Sequence, residues 1–475
     1  MFSALRHSVR LVKVGLTLAR HDALFPLEII GRPPFILRLA RGIAKLGRKR
    51  DDGRRPGERL AAALQELGPS FIKFGQALAT RADLVGAGIA RDLGALQDKL
   101  PPFPGEEAKR IIEAELGRPI AEIFPVFDPD AVAAASIAQV HFAETAAGER
   151  VAVKILRPNV EQAFARDLES FRWLARQIER RQPSLRRLRP TDVVENFART
   201  VSLEMDLRFE AAAASELREN LKDNPHFGIP AVHWPQTAQR VLTLERIDGL
   251  PLGDRAALVA AGLDLSAMAR HVVQGFLEQA LFHGFFHADL HQGNLFAMPG
   301  SRVVAVDFGI VGRLDEETRR HFAEILYGFL HRDYRAVAEA HFRAGYVPAN
   351  QSLEAFAQAL RAIGEPIADR PTREISFGAL LAQLLRTTEQ FSMQTQPQLL
   401  LLQKTMVMVE GVASHLDPGI NMWEAARPVI ERWIRENLGA PARIRDVLQR
   451  TVLLAERLPR MIEDYDLLIQ EIRTR

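Results

Sequence analysis

The sequence predicts an α+β fold in which a strand-bearing region is followed by a mostly helical one. Short alternating runs bounded by turn residues cluster between Val132 and Ile155, and again over residues 229 to 247. Apolar residues at helical spacing instead fill Leu265 to Gly284 and nearly all of Glu316 to Arg475. At 475 residues the chain can form two or three domains, or one large core with extensions. Its 47% hydrophobic and 25% charged content is that of an ordinary globular protein and argues against wholesale disorder.

Composition also removes classes of function. There is no cysteine, so disulfides, thiolate catalysis and Cys-based zinc or iron–sulfur sites are excluded, and a reducing compartment is compatible. A formal net charge of +3 predicts no general affinity for nucleic acid. The charge is unevenly placed: the Lys and Arg residues between Arg6 and Arg55 face only Asp22, Glu28, Asp51 and Asp52, a local excess of about nine positive charges. That start lacks the apolar core of a signal peptide. No stretch of the chain offers the roughly 20 uncharged residues of a membrane span, so no crossing of a bilayer is expected.

Residues 1–58 read as basic helices and a linker. Leu5, Val9, Val12, Leu16 and Leu18 give residues 3 to 20 a helical spacing with a cationic face, suited to packing on the domain or lying on an anionic membrane surface. The Gly/Arg/Lys-rich stretch 47 to 57 reads as the linker. Residues 59–125 form a helical extension. Ser70, after Gly68-Pro69, is a candidate N-cap for a helix through Lys73-Phe74-Gly75-Gln76. Gly75 there costs about 1 kcal/mol relative to Ala. It points to close approach by another backbone, with Lys73 and Gln76 flanking the contact. A helix from Pro104 to about Phe124 follows, broken at Leu116-Gly117 and Pro119.

Residues 126–248 carry the strands. Ala133 to Ala138, Gln139 to Glu144, a turn over Ala146 to Glu149, and Val151 to Ile155 read as a hairpin. Two helices, Val160 to about Arg181 and Arg189 to about Lys222, are separated by a turn at Pro183. Two strands over 229 to 247 then end at Glu245 and Asp248-Gly249. An apolar strand opening at a glycine turn suits a hinge where adenine meets backbone groups, with Glu245 at its edge. Residues 249–475 are the helical region and its amphipathic C-terminal end.

The chemistry concentrates in His287-Ala288-Asp289-Leu290-His291-Gln292-Gly293-Asn294 and in Asp307-Phe308-Gly309. In phosphoryl transfer an Asp takes or orients the acceptor proton, an Asn in Asp-x-x-x-x-Asn holds Mg²⁺, and the Asp of Asp-Phe-Gly bridges Mg²⁺ to the phosphates. Asp289 fits the catalytic role, and Asn294 and Asp307 fit the metal roles. The strand Val151-Ala152-Val153-Lys154 matches the kinase strand whose Lys reaches the α- and β-phosphates and pairs with a helical Glu. Glu204 is the first choice of partner and Glu210 the reserve. The run Ala133, Ala134, Ala135, Ser136, Ile137, Ala138 and Gln139 stands where most kinases carry Gly-x-Gly-x-x-Gly over the phosphates. Alanine restricts φ and should stiffen that loop. The whole predicts an atypical protein-kinase-like two-lobe fold. A helix cap at Asp315, so soon after Gly309, leaves no long activation segment, which counts against a platform for protein substrates.

Two other readings compete. His283, His287, Asp289 and His291 could form the His/Asp cluster of a metal-dependent hydrolase, which leaves Lys154 and Asp307 unexplained. A nucleotide-binding pseudokinase scaffold for a membrane complex fits the same motifs without turnover. Direct hydroxylation finds no dinucleotide fingerprint after a strand.

From about residue 60 to residue 313 the chain resembles the UbiB-type atypical kinases, which serve ubiquinone biosynthesis in bacteria and mitochondria. The match rests on Lys73-Phe74-Gly75-Gln76, the run Ala133 to Gln139, Lys154, Glu204, Glu210, Asp289, Asn294 and Asp307. The resemblance implies that Glu204 partners Lys154 and that Glu210 is a further motif acid. It also implies ATP or ADP with Mg²⁺ as cofactors. The Lys-x-Gly-Gln helix would fold across the active site, with Lys73 restraining it near Asp289 and Asp307. The implied activity is that of an ATPase or small-molecule kinase on polyprenyl phenol or quinone precursors. The resemblance implies membrane association, on the cytoplasmic side of a bacterial inner membrane with other quinone-biosynthesis enzymes, and the lack of a spanning stretch together with the basic N-terminus leads to the expectation of peripheral attachment to anionic lipid. The sequence departs from the family twice. Many bacterial members end in transmembrane helices where Ala440 to Arg475 is amphipathic and broken by Pro459, and the commoner family form has Pro in place of Leu290 and Gln292.

Overall fold

The computed structural model describes residues 12–23, 53–79, 85–94, 96, 100–181, 186, 189–368, 387, 390–393 and 396–439. Residues 3 to 11 of the helix expected over 3 to 20, most of the basic segment and its linker, the turn at Pro183 and the stretch 440 to 475 lie outside the described residues. Two units are distinguished. One runs to Ala212 and takes in Ala231–Arg246, and the other comprises Ala213–Pro230 and the chain from Ile247.

In the first unit α1 (12–20) is tied to α2 (Pro56–Leu67) by His21 Nε2 and Glu66 at 2.8 Å and by Arg59 donating to Asp22 at 3.1 Å. In α3 (Pro69–Ala79) proline opens the helix, its fixed φ and missing N–H suiting the first helical position. Ser70 is therefore not the cap expected of it: it is buried inside the helix, and the Gly68 carbonyl accepts the N–H groups of Phe71 and Ile72. After α4 (Ala87–Gly94), α5 (Gly105–Leu116) stops at the left-handed Gly117, and α6 (Ile120–Ile123) follows Pro119, the breaks the sequence indicates.

Strands β1 (Val126–Phe127) and β2 (Ala133–Ala134) both pair with β3 (Ala138–Glu144), which pairs along its length with β4 (Arg150–Leu156). Side chains alternate across a strand. Val151, Val153 and Ile155 of β4 thus turn to a core with Ala108, Ile111, Ile112, Ile123 and Phe124 of α5 to α6, and Lys154 lies on the other face.

Two helices, α7 (Val160–Arg181) and α8 (Pro190–Glu204), pack together. The single helix expected from Arg189 to Lys222 is broken, and α9 (Leu207–Asn220) starts afresh. The Asp206 carboxylate takes the Arg208 N–H at 3.1 Å, and the Leu207 N–H donates to Gln239 O at 2.8 Å, so two donors leave the helical ladder at one point. Next, β5 (Phe227–Gly228) belongs to the second unit, and β6 (Val241–Glu245) completes the first sheet against β4. Of the two strands expected over 229 to 247, the stretch before β6 contributes only an isolated bridge at Val232 to Leu244 and a 3-10 turn at Trp234–Gln236.

The second unit has a four-stranded sheet in which β5 pairs parallel with β10 (Arg302–Ala305). Strand β9 (Leu295–Met298) pairs with β10, and β7 (Leu250–Pro251) with β9, both antiparallel. A two-stranded ladder joins β8 (Phe285–His287) and β11 (Val311–Arg313). Residues 213–230, expected with the strand-bearing domain, are held here: Gly275 admits the Phe227 ring so closely that a Cβ would lie 2.5 Å from it. Short α10 (Arg255–Ala260) precedes α11 (Leu265–Glu278), capped by Asp264, and a π turn carries α11 to Gly284. Next come α12 (Glu316–Leu330), capped by Asp315 accepting the Thr318 N–H at 2.7 Å, then α13 (Tyr334–Arg343) and α14 (Leu353–Ala368). The last described helices, α15 (Pro397–Leu416) and α16 (Met422–Leu438), pack on α11. Among the described residues no helix is long and apolar enough to cross a membrane.

Candidate functional site

The motif residues divide between the units. In the first, Lys154 points from β4 to Glu210, in the first turn of α9, at 2.8 and 2.9 Å to the two carboxylate oxygens. Both side chains are largely buried, at 16% and 8% exposure, so the pairing offsets part of the cost of taking the two charges out of water. This corrects the expectation that Glu204 would hold Lys154. Glu204, at the end of α8, pairs with Lys73 of α3 at 3.0 Å. The break at Met205-Asp206 accounts for the exchange. It ends α8 just after Glu204 and starts a second helix, so the two acids do not share one continuous helical face.

Lys73 is held by its neighbours in the chain. Phe71 meets Phe171 edge-on at 5.1 Å, and Phe74 stacks on Phe171 at 4.8 Å and meets Phe197 edge-on at 5.2 Å, fixing α3 against α7 and α8. Gly75 is buried, but the group that approaches it is a side chain and not a backbone: a Cβ there would sit 2.6 Å from Leu64 Cδ1 and 3.1 Å from Leu96 Cδ2. Gln76, the next residue, is half-buried.

The Ala-rich run is half strand and half turn. Ala133 and Ala134 pair with Val140 and Gln139, and the Ala135 N–H closes the turn on Ala138 O at 2.8 Å. Ser136, Ile137, Ala138 and Gln139 are buried. Glu245, at the exposed end of β6, accepts the Ala231 N–H at 3.0 Å.

In the second unit Asp289 and Asn294 bracket a tight loop. The Asn294 side chain donates from Nδ2 to Asp289 O at 3.1 Å, its N–H donates to His291 O, and Val306 donates to Asn294 O at 2.8 Å. That bond orients the amide, and Oδ1, its acceptor atom, is the one suited to a cation. Asp307 adopts φ +63°, a left-handed conformation uncommon for non-glycine residues but one that Asp tolerates better than most. Together these residues offer two carboxylates and an amide oxygen, the hard donors that suit Mg²⁺. They fit the ion that a kinase-like site implies.

His287, which sequence reasoning placed only in a rival metal cluster, links these elements. Its Nδ1 accepts the Asp289 N–H at 3.1 Å and its Nε2 faces Val306 O at 3.2 Å, which defines a neutral ring protonated on Nε2. Complete burial lowers its pKa, consistent with that neutral state. One imidazole therefore spaces the backbone of Asp289 from the residue before Asp307, and Phe308 packs on its ring at 5.4 Å. With both nitrogens engaged, His287 cannot serve the hydrolase cluster. Among the described residues no three His, Asp or Glu side chains gather as metal ligands. His291 is nearer to a role: its Nδ1 accepts the Gly293 N–H, and its Nε2 lies 3.8 Å from Asp289 Oδ2. Two supports carry no local sequence signal. Gln279 Oε1 accepts the His287 N–H, and Thr405 of α15 donates to Ala288 O at 3.3 Å.

A Lys–Glu pair on a sheet with a helical flank, together with Asp-x-x-x-x-Asn and Asp-Phe-Gly loops, defines a two-lobe α+β fold of the protein-kinase kind. It is atypical in its Ala-rich turn. Residues 95–341 match the ABC1 atypical kinase-like domain and residues 360–421 the UbiB helical domain. The chain belongs to the UbiB family of atypical kinases. It is 42% identical over 409 residues to a protein named probable protein kinase UbiB from Marinobacter nauticus, covering 85% of this chain and 75% of that one. It is 41% identical over 445 residues to its namesake from Pseudomonas fluorescens, covering 92% and 83%. The structure of the Rv3197–erythromycin complex from Mycobacterium tuberculosis shares the fold, with a TM-score of 0.53 and 23% identity over 75% of this chain and 90% of that one.

Proposed function

We propose that the chain is an Mg-nucleotide-dependent atypical kinase or ATPase supporting ubiquinone biosynthesis, acting on or extracting membrane-bound polyprenyl quinone precursors. The observation that carries the reading is the loop from Asp289 to Asn294, which His287 ties to Val306 and so to Asp307. In this reading Asn294 and Asp307 hold Mg²⁺ beside ATP or ADP. The bound ion would supply charge neutralisation on the phosphate oxygens. Lys154, fixed by Glu210, presents a positioned cation to the nucleotide phosphates. The Asp289 carboxylate accepts the proton of a water or acceptor hydroxyl, and His291 stands beside it. Lys73, paired with Glu204, restrains the site through its helix.

Although relatives carry the words protein kinase in their names, a small-molecule or water acceptor suits this chain better. The chain passes from Phe308 through β11 directly to the cap of α12 at Asp315, which leaves little segment to lay a peptide on. The basic N-terminal stretch supports peripheral attachment to anionic lipid on the cytoplasmic face of a bacterial inner membrane, among other quinone-biosynthesis enzymes. The test compares ATP hydrolysis by wild type and Asp307→Asn, with and without anionic liposomes. Turnover that needs Mg²⁺ and falls at least about a hundredfold in the variant is expected. Equal background rates would instead favour the second reading, a nucleotide-binding scaffold.

A further inference from the structure

Within the second unit, the chain approaches Asp289 from α11 through the π turn Gln279–His283, in which the Gly284 N–H donates to Gln279 O, five residues back. Such a turn runs one residue longer than an α-helix before its ladder closes, and π turns recur at functional sites. Two donors from other helices take the carbonyls at its end. Trp433, buried on α16, donates from Nε1 to Leu281 O at 2.8 Å, and Arg319 of α12 donates from Nη1 to Phe282 O at 2.7 Å. Beside Trp433, Arg432 lies over the Phe282 ring at 4.4 Å and donates to Glu278 Oε1 at 2.9 Å.

The turn reaches Asp289 through one side chain. Along one edge β8 pairs with β11, where the Leu314 N–H donates to Gly284 O at 2.7 Å and the Ala288 N–H to Ile310 O at 3.0 Å. Among the described residues no strand pairs with the other edge, and the fully buried Gln279 stands there instead. Its Oε1 accepts the His287 N–H at 3.0 Å while its Nε2 donates to Gly275 O at 2.9 Å. From His287 the path continues through Nδ1, which accepts the Asp289 N–H at 3.1 Å.

We propose that Trp433 and Gln279 are positioning residues that hold the π turn in register and thereby set where the Asp289 carboxylate stands for proton transfer. The inference rests on the reading of Asp289 as the proton acceptor and goes beyond it in giving α16 a part in the reaction. The physical case is a competition for Leu281 O. In a continued α-helix that carbonyl would take the Phe285 N–H, four residues on. Trp433 occupies it instead, so Phe285 begins β8 and the turn keeps its extra residue. Without the indole N–H the buried carbonyl loses its partner, and tightening to α geometry becomes the way to regain one. Tightening draws the start of β8 back toward Leu281, which takes His287 from Gln279 and shifts Asp289 with it. A base moved off its line to the acceptor transfers the proton slowly even while substrate still binds.

The test uses the full chain and measures kcat for Mg²⁺-dependent ATP hydrolysis beside Kd for Mg-ATP in wild type, Trp433→Phe, Gln279→Met and the double variant. Trp433→Phe keeps an aromatic ring in the core and removes the N–H; Gln279→Met keeps the length of the side chain and removes both of its bonds. Each single variant is expected to lower kcat by about tenfold or more while Kd changes less than about threefold. Because both act through one turn, the double variant should be no slower than the slower single. The proposal is overturned by a kcat within about twofold of wild type in folded single variants, by a rise in Kd that matches the fall in kcat, or by single effects that multiply in the double variant. Should Trp433→Phe fail to fold, kcat and Kd of Gln279→Met decide. Wild type that binds Mg-ATP without turnover defeats the reading of Asp289 as a base, and this proposal with it, before any variant is compared.

Discussion

The exchange of partners between Lys154 and Lys73 yields a quantitative prediction. Glu210→Gln preserves volume but removes the carboxylate that takes two bonds from Lys154, at 2.8 and 2.9 Å. Removing one partner of a buried ion pair costs about 3–5 kcal/mol, because the other charge stays buried without its counterion. With Lys154 at 16% and Glu210 at 8% exposure, the low end applies. At about 2–4 °C per kcal/mol, a loss of about 3 kcal/mol lowers the unfolding midpoint by about 6–12 °C. Glu204→Gln will also destabilise, since it deprives Lys73, so single variants do not discriminate. Double-mutant cycles do. Lys154→Met combined with Glu210→Gln should show a coupling of about 2 kcal/mol, and Lys154→Met with Glu204→Gln less than about 0.5 kcal/mol. Chemical denaturation followed by circular dichroism supplies the free energies. A larger coupling between Lys154 and Glu204 than between Lys154 and Glu210 would refute the pairing and restore the arrangement that the sequence suggests.

Gly75→Ala gains about 1 kcal/mol in helix propensity but drives a methyl to 2.6 Å from Leu64 Cδ1, an overpacking worth about 1–3 kcal/mol. A net loss of about 1 kcal/mol is expected in thermal unfolding. Both this variant and Lys73→Ala should change the rate of ATP hydrolysis, and unchanged kinetics in the pair would remove the restraining role of α3. Acid sensitivity should come in part from His341, which is buried beside His321 and Tyr346 and has its pKa lowered to about 4, chiefly by burial. Because the folded value lies below the unfolded 6.5, the unfolded chain binds more protons between those limits. Stability is then full above about pH 6.5 and falls by about 3 kcal/mol on acidification below pH 4. Denaturation midpoints taken from pH 7 to pH 5 should fall less steeply in His341→Leu than in wild type, and parallel slopes would show that this ring does not contribute.

Local chemistry made much of the fold legible. Gly117 and Pro119 ended α5 where expected, Asp315 capped α12, and the alternation of Val151, Val153 and Ile155 marked the buried face of β4. The errors arose where distant groups competed for the backbone. The break between α8 and α9 depends on Gln239, far along the chain, taking the Leu207 N–H, and nothing in Glu204-Met205-Asp206 by itself distinguishes an interior Asp from a cap. Ser70 departs from the expected cap because a serine and a proline both fit a helix start, and Pro69 takes the first helical position.

The site was legible as a set of residues and less so as a set of pairs, and the reason is geometric. Motif spacing places Lys154 on a strand and two acids downstream, yet choosing between Glu204 and Glu210 requires knowing that the helix stops between them. Once it stops, Glu210 sits in the first turn of a new helix opposite β4, and Glu204 remains on α8 with α3. The two lysines are then not interchangeable cations. Lys154 is held from the sheet's own flank, whereas Lys73 is held at the junction of α3, α7 and α8, where Phe74 wedges between Phe171 and Phe197. A change that loosens those rings acts first on the helix that carries Lys73. In the proposed reading, a restraint exerted by α3 is then carried by a different ion pair from the one that holds Lys154.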